Sequence, residues 1–204
     1  MTTLPKILCL HGFVQSGPVL AAKTQGLRAA FLAAGYELFY LTAPVPMDSG
    51  ITELADHRGW WLDDGIYDID AGISAVKQCV LSEGPFVGVL GFSQGAALAS
   101  ALVAHPEIVG HAFFHFGIFF SGYRLDPVDY QWIYKEKVTV PTLHVWGDLD
   151  TVMEESQSQR LLDSCEEGLR TLLTHPGGHF VPQGKLMVDK IVKWTVEVSG
   201  KERE

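Results

Sequence analysis

The chain has 204 residues, and 15 Lys+Arg against 24 Asp+Glu give a formal net charge of −9. At 47% hydrophobic and 19% charged it can bury a core and is too apolar to be disordered over its bulk, and its length suits one domain. An acidic chain without polybasic clusters lacks the cations that neutralise phosphates or anionic head groups, so neither nucleic acid nor membrane is an expected partner.

Met1–Leu10 holds no apolar stretch of the length a secretory signal requires. No segment approaches the roughly 18 uninterrupted apolar residues of a membrane span. A soluble, cytoplasmic protein is the expectation. Cys9, Cys79 and Cys165 are too few and too scattered for a disulfide framework or a zinc site. Cys9 and Cys79 lie in apolar runs and read as small buried hydrophobes.

Along the chain, Ile7–Leu10 is a short apolar strand that stops at His11-Gly12. The Ala- and Leu-rich spacing of Leu20–Ala34 predicts a helix, closed by Gly35. Glu37–Thr42 predicts a second strand, ended by Pro44 and Pro46. Asp68–Ser82 is helical, with Ile69, Ile73, Val76 and Val80 on one face. Phe86–Gly91 is a third strand and Gly95–Ala104 a small-residue helix. Ala112–Ser121, Thr142–Trp146 and Leu169–Thr174 predict three further strands, and Glu154–Ser164 and Lys185–Val198 two further helices. Apolar strands alternating with helices require a mostly parallel sheet covered on both faces. The expected fold is therefore α/β, with about six strands in a single domain over residues 1–200, and Lys201–Glu204 as a frayed tail. Two irregular stretches, Pro44–Gly65 and Gly122–Lys137, have the length of functional loops.

Gly91-Phe92-Ser93-Gln94-Gly95 matches G-x-S-x-G, in which a serine sits on a sharp strand-to-helix turn. The peptide alone is a weak signal. Here it follows a predicted strand and opens a predicted helix, whose first N–H groups would face a developing oxyanion. An activated serine needs a general base, and the base an orienting acid. On the α/β-hydrolase pattern these follow in the order Ser, acid, His on later loops. Gly147-Asp148-Leu149-Asp150 follows the fifth strand and His175-Pro176-Gly177-Gly178-His179 the sixth. Asp150 is favoured over Asp148, which suits a turn or cap. His179 is favoured over His175, because Gly177-Gly178 can bring it back toward Ser93. The loop after the first strand supplies the second oxyanion donor in this pattern, so the backbone N–H groups of Phe13 and Gln94 are the expected hole. His11 reads as a structural hydrogen-bonder.

Five blocks, LCLHGFVQSG at Leu8–Gly17, RGWW at Arg58–Trp61, GFSQGA at Gly91–Ala96, the Gly147–Asp150 loop and HPGGHFVP at His175–Pro182, together resemble the fungal family of serine hydrolases. That group is similar to the human ovarian-cancer-associated serine hydrolase and to fungal thioesterases that release polyketides. The resemblance spans essentially the whole chain. It implies a compact α/β-hydrolase fold, Ser93, Asp150 and His179 as the triad, and cofactor-free hydrolysis of a carboxylic ester. The alternative is an acyl thioesterase acting on a carrier- or CoA-bound acyl or polyketide chain. An alternative of another class is a non-catalytic scaffold for a small hydrophobic ligand, but such scaffolds typically lack part of the triad.

Trp60 and Trp61 would emerge near the carboxyl edge of the sheet, where ligands bind. They are expected either to wall an acyl pocket or to anchor the loop to the core. His111 and His115 invite a metal reading, but no third ligand has fitting spacing, so no metal is expected. The run Phe113, Phe114, Phe116, Phe119 and Phe120 reads as core, and Glu154, Glu155, Glu166 and Glu167 as solvated helix charges.

Overall fold

Residues 4–47, 57–62, 68–110 and 114–200 are described in a computed structural model of the protein. The apolar runs become strands β1 (Lys6–Leu10), β2 (Glu37–Leu41), β5 (Phe86–Phe92), β6 (Phe116–Phe120), β7 (Thr142–Gly147) and β8 (Arg170–His175). They form one parallel sheet in the order β2-β1-β5-β6-β7-β8. A two-stranded antiparallel ribbon, β3 (Val45–Pro46) with β4 (Arg58–Gly59), stands apart from it. The expected α/β architecture is thus present.

Side chains alternate across the pleat and divide the core in two. Leu8, Leu10 and Val89 face one layer with helices α3 (Asp70–Glu83), α4 (Gln94–Ala104) and α5 (Glu155–Leu162). Ile7, Cys9, Leu90, Phe116 and Ile118 face the other, with α1 (Gly17–Lys23), α2 (Gln25–Ala33) and α6 (Lys185–Gly200). β5, β6 and β7 are buried almost throughout, whereas the edge strands β2 and β8 are half-exposed. Of the phenylalanine run, the four described members are fully buried. Among the described residues no helix is long and apolar enough to cross a membrane.

One predicted helix is two. Ser16 accepts from the Val19 N–H and Pro18 occupies the first turn, so α1 begins three residues earlier than its apolar spacing indicates. It stops at Thr24, whose hydroxyl donates back to the Leu20 carbonyl at 2.7 Å and meets the Tyr40 hydroxyl at 2.8 Å. A threonine bonding to its own preceding turn competes with helix continuation. The strand expected from Ala112 runs from Phe116; Ala112, Phe113, His111 and the tail Lys201–Glu204 lie outside the described residues. Gly122–Lys137 contains a 3-10 turn, Val128–Tyr134.

The chain runs outward from β1 to β2 and returns on the other side of β1 with β5. Such a reversal leaves a crevice at the carboxyl ends of the two central strands. The loops carrying Phe13 and Ser93 leave the sheet there.

Candidate active site

Ser93 joins β5 to α4 with φ 53° and ψ −117°. A non-glycine residue in this region is strained by roughly 1–3 kcal/mol, and such strain gathers at functional sites. The turn is held from several sides. The Ser93 N–H donates to the Phe120 carbonyl at 2.9 Å, and the Ser93 carbonyl accepts from Ala96 and Ala97. A Cβ on Gly95 would fall into the carbonyls of Leu10 and His11, so only glycine lets α4 press this closely on β1. Gln94, the first residue of α4, has a backbone N–H without an intrahelical acceptor.

Across the crevice, the loop after β1 runs beside the elbow. A Cβ built on Gly12 would stand 3.5 Å from the Ser93 Cβ. His11 orders this loop. Burial pulls it down to about 4, against the Gly12 carbonyl, which would raise it. The neutral ring donates from Nδ1 to the Gly12 carbonyl at 2.7 Å and accepts at Nε2 from the Ala43 N–H at 2.9 Å. That is the structural part expected of it. Val14 carries φ 55° and turns the chain so that Gln15 exchanges two backbone hydrogen bonds with Arg58.

At the other end of the sheet, Asp150 follows β7 and His179 follows β8. The His179 Nδ1 donates to Asp150 Oδ2 at 2.8 Å, with the aspartate side chain 4% exposed. Asp150 Oδ2 also accepts from the Ser121 hydroxyl at 2.8 Å, and Oδ1 accepts from the N–H groups of Val152 and Met153. Burial pushes the carboxyl up, but the Met153 N–H, His179 and Ser121 outweigh it and hold Asp150 below the usual range. The two loops are laced together by Asp148 N–H to the His175 carbonyl and Leu149 N–H to the Gly177 carbonyl. A Cβ on Gly147 would collide with Gly177 and Gly178, so that lacing needs glycine too.

The His179 ring lies 4.8 Å from the ring of Phe92, the residue before Ser93. The imidazole therefore stands over the elbow with its Nδ1 committed to Asp150. Among the described residues Ser93 Oγ has no hydrogen bond to His179; catalytic hydrogen bonds are often long before substrate arrives. His175 is buried and separate: burial lowers its pKa, its Nδ1 accepts from Gly177, and its Nε2 has no partner among the described residues. Asp148 is exposed.

The Asp150–His179 pair thus stands beside the elbow that carries Ser93, and the chain matches over most of its length a family model described as "Serine hydrolase (FSH1)", residues 1–191. The chain belongs to this serine hydrolase family. It is 37% identical to Family of serine hydrolases 2 of Saccharomyces cerevisiae, with 95% of this chain and 98% of that protein covered. It is likewise 37% identical to Esterase OVCA2 of Danio rerio, over 89% of this chain and 92% of that one. The crystal structure of Zea mays acyl-protein thioesterase 2 superposes with a TM-score of 0.64 at 19% identity, covering 97% and 95% of the two chains. At that identity the likeness is one of fold.

In this serine hydrolase the pocket role weighed for Trp60 and Trp61 gives way to anchoring. They are 0% and 1% exposed and lie in the core cluster of α3 and α4. The Trp60 indole donates to the His11 carbonyl at 2.8 Å. The Gln94 side chain grips both: its Oε1 accepts from the Trp60 N–H at 2.8 Å and its Nε2 donates to the Trp61 carbonyl at 3.0 Å. RGWW therefore supports the loop that carries Phe13. The Gln94 side chain and Ser121 are the site residues that sequence reasoning missed. Gln94 was visible only as a backbone donor, and Ser121 only as a residue at a strand end. Among the described residues no group of three or more His, Cys, Asp or Glu side chains could hold a metal.

Proposed function

We propose that this serine hydrolase cleaves a small-molecule carboxylic ester through Ser93, His179 and Asp150. The observation that carries the reading is the half-buried 2.8 Å Asp150–His179 bond, with the imidazole over Phe92 beside the strained Ser93. Ser93 Oγ attacks the acyl carbon while His179 Nε2 takes its proton. Asp150 keeps the other proton on Nδ1 and stabilises the imidazolium. The oxyanion accepts from the N–H groups of Phe13 and Gln94. His179 then delivers its proton to the leaving oxygen, and a water deprotonated at the same nitrogen releases the acid and restores Ser93.

The same steps serve a thioester on CoA or an acyl carrier, with sulfur in place of the leaving oxygen. Three free, buried cysteines accord with a cytoplasmic setting, where thiols stay reduced. A fluorophosphonate probe should label the wild-type protein at Ser93 and leave Ser93→Ala unlabelled. A folded Ser93→Ala protein that still hydrolysed p-nitrophenyl acetate at the wild-type rate would overturn the assignment.

A further inference from the structure

A cavity of about 340 Å³ opens between α1 and the His179 loop, walled by Gln15, Leu20, Lys23, Phe92, His179 and Gln183 among others. We propose that it is a leaving-group subsite for a substrate whose alcohol or thiol portion carries an anionic end and, part-way along, an amide or hydroxyl donor. The proposal rests on the triad reading above.

The side follows from the chemistry. His179 must protonate the leaving atom, and a general acid works within hydrogen-bond reach of that atom. A cavity that begins at His179 and at Phe92, next to Ser93, therefore receives the departing half of the substrate. The apolar walls from Leu20 and Phe92 suit a methylene spacer.

The charge follows from Lys23. It lies three residues after Leu20 on α1, which sets both on one face of the helix. A lysine stem can lie along an apolar wall while its ammonium stays at the mouth. Among the described residues no carboxylate lines the cavity and none lies within salt-bridge distance of Lys23. In a chain of net charge −9, a site with a cation and no lining anion selects for negative charge.

The donor follows from the glutamines. Gln183 is fully engaged: Oε1 accepts from the Leu27 N–H, and Nε2 donates to the carbonyls of Val181 and Pro182. Gln15 is not. Its Oε1 is buried without a hydrogen-bond partner among the described residues, a condition that buried polar atoms rarely keep. Its terminal torsion is soft, and a turn about it offers that oxygen to a ligand N–H or O–H.

The test holds the acyl group constant as butyryl and varies what leaves. Lys23→Ala should lower kcat/KM about tenfold on butyryl-CoA, chiefly through KM, and change it less than twofold on p-nitrophenyl butyrate. S-butyryl pantetheine, which keeps the amides and loses the phosphates, should be insensitive to Lys23→Ala but sensitive to Gln15→Leu. The butyryl ester of glycerol 3-phosphate distinguishes the sources: a Lys23 effect there and none on butyryl-CoA assigns the anion to an alcohol. Equal loss on charged and neutral substrates, or no loss on any anionic one, would overturn the subsite. So would a Lys23 effect that followed a carboxylate on the acyl group of a succinyl ester. Calorimetric titration of Ser93→Ala with phosphopantetheine separates this proposal from the triad reading. Lys23-dependent binding with no wild-type turnover sustains the subsite and sinks the triad; turnover of neutral esters without binding does the reverse.

Discussion

Replacing Gln94 with methionine keeps the volume of a buried side chain and deletes both of its hydrogen bonds. Gln94 is 3% exposed, and its amide satisfies the Trp60 N–H and the Trp61 carbonyl, both within a segment that is itself buried. Leaving one such group unpaired costs about 1–3 kcal/mol, so the pair should cost about 2–6 kcal/mol. For a domain of this size that is a fall in melting temperature on the order of 10 °C. Activity should also fall, although the backbone N–H of Gln94 is untouched. The Trp60 indole holds the His11 carbonyl, and His11 opens the loop that presents Phe13. A displacement of about 1 Å at a catalytic group can cost 10²-fold. The assay is a calorimetric melt together with p-nitrophenyl acetate turnover at a temperature where the variant is folded. A melting temperature within a degree or two of wild type, with full turnover, would refute the idea that Gln94 ties RGWW to the elbow.

Asp150→Asn should cost on the order of 10⁴ in kcat, whereas Asp148→Asn, at an exposed turn position, should stay within a few-fold of wild type; the larger loss at Asp148 would transfer the role. Ser121→Ala removes one donor from Asp150 Oδ2, leaving a more basic carboxylate that favours the imidazolium. The acid limb of the kcat/KM profile should move to higher pH with kcat down by up to about tenfold, and an unmoved limb would deny Ser121 its positioning role. His11 titrates near 4 in the folded protein against 6.5 ordinarily. The unfolded chain therefore binds more protons between those values, and stability should fall as pH is lowered from 6.5 toward 4. His11→Gln should make that slope shallower in melts across the window, and an unchanged slope would show that His11 is not the group responsible.

Much of the site was legible because each part announces itself locally. Ser93 stands in a glycine-flanked turn between an apolar strand and a small-residue helix, and Asp150 and His179 each follow an apolar strand. The remaining parts depend on contacts that leave no local trace. Ser121 reaches Asp150 across 29 residues, and a hydroxyl at a strand end has no periodicity to betray it. Trp60 and Trp61 are adjacent, and alternation suggests that one points inward and one outward. Instead the chain bends at the β3–β4 ribbon and the Gln94 amide draws the whole dipeptide under α4. The break at Thr24 was hidden for a similar reason. Its helical spacing continues through residue 34, and what ends α1 is a side-chain bond to Leu20 and a partner, Tyr40, from another strand.

The three non-glycine residues with positive φ are Val14, Ser93 and Ser121 among the described residues. They follow β1, β5 and β6, neighbouring strands of the sheet, and each bends the chain just past its carboxyl end. One turns the Phe13 loop back to Arg58, one raises the candidate nucleophile, and one aims a hydroxyl at Asp150. At roughly 1–3 kcal/mol apiece, their combined strain is comparable with the whole stability of an ordinary domain, about 5–15 kcal/mol. Strain of that size persists only where the surroundings over-determine it. Here the Ser93 N–H is bound by Phe120, the Ser121 N–H by Val145 and the Gln15 N–H by Arg58, so each bend is clamped by its neighbour's backbone. The buried inner strands and the almost wholly buried α4 supply the rigidity that holds those clamps. Relaxing any one bend would release strain while misdirecting the group it carries, and the strain lies along the edge that holds the candidate site.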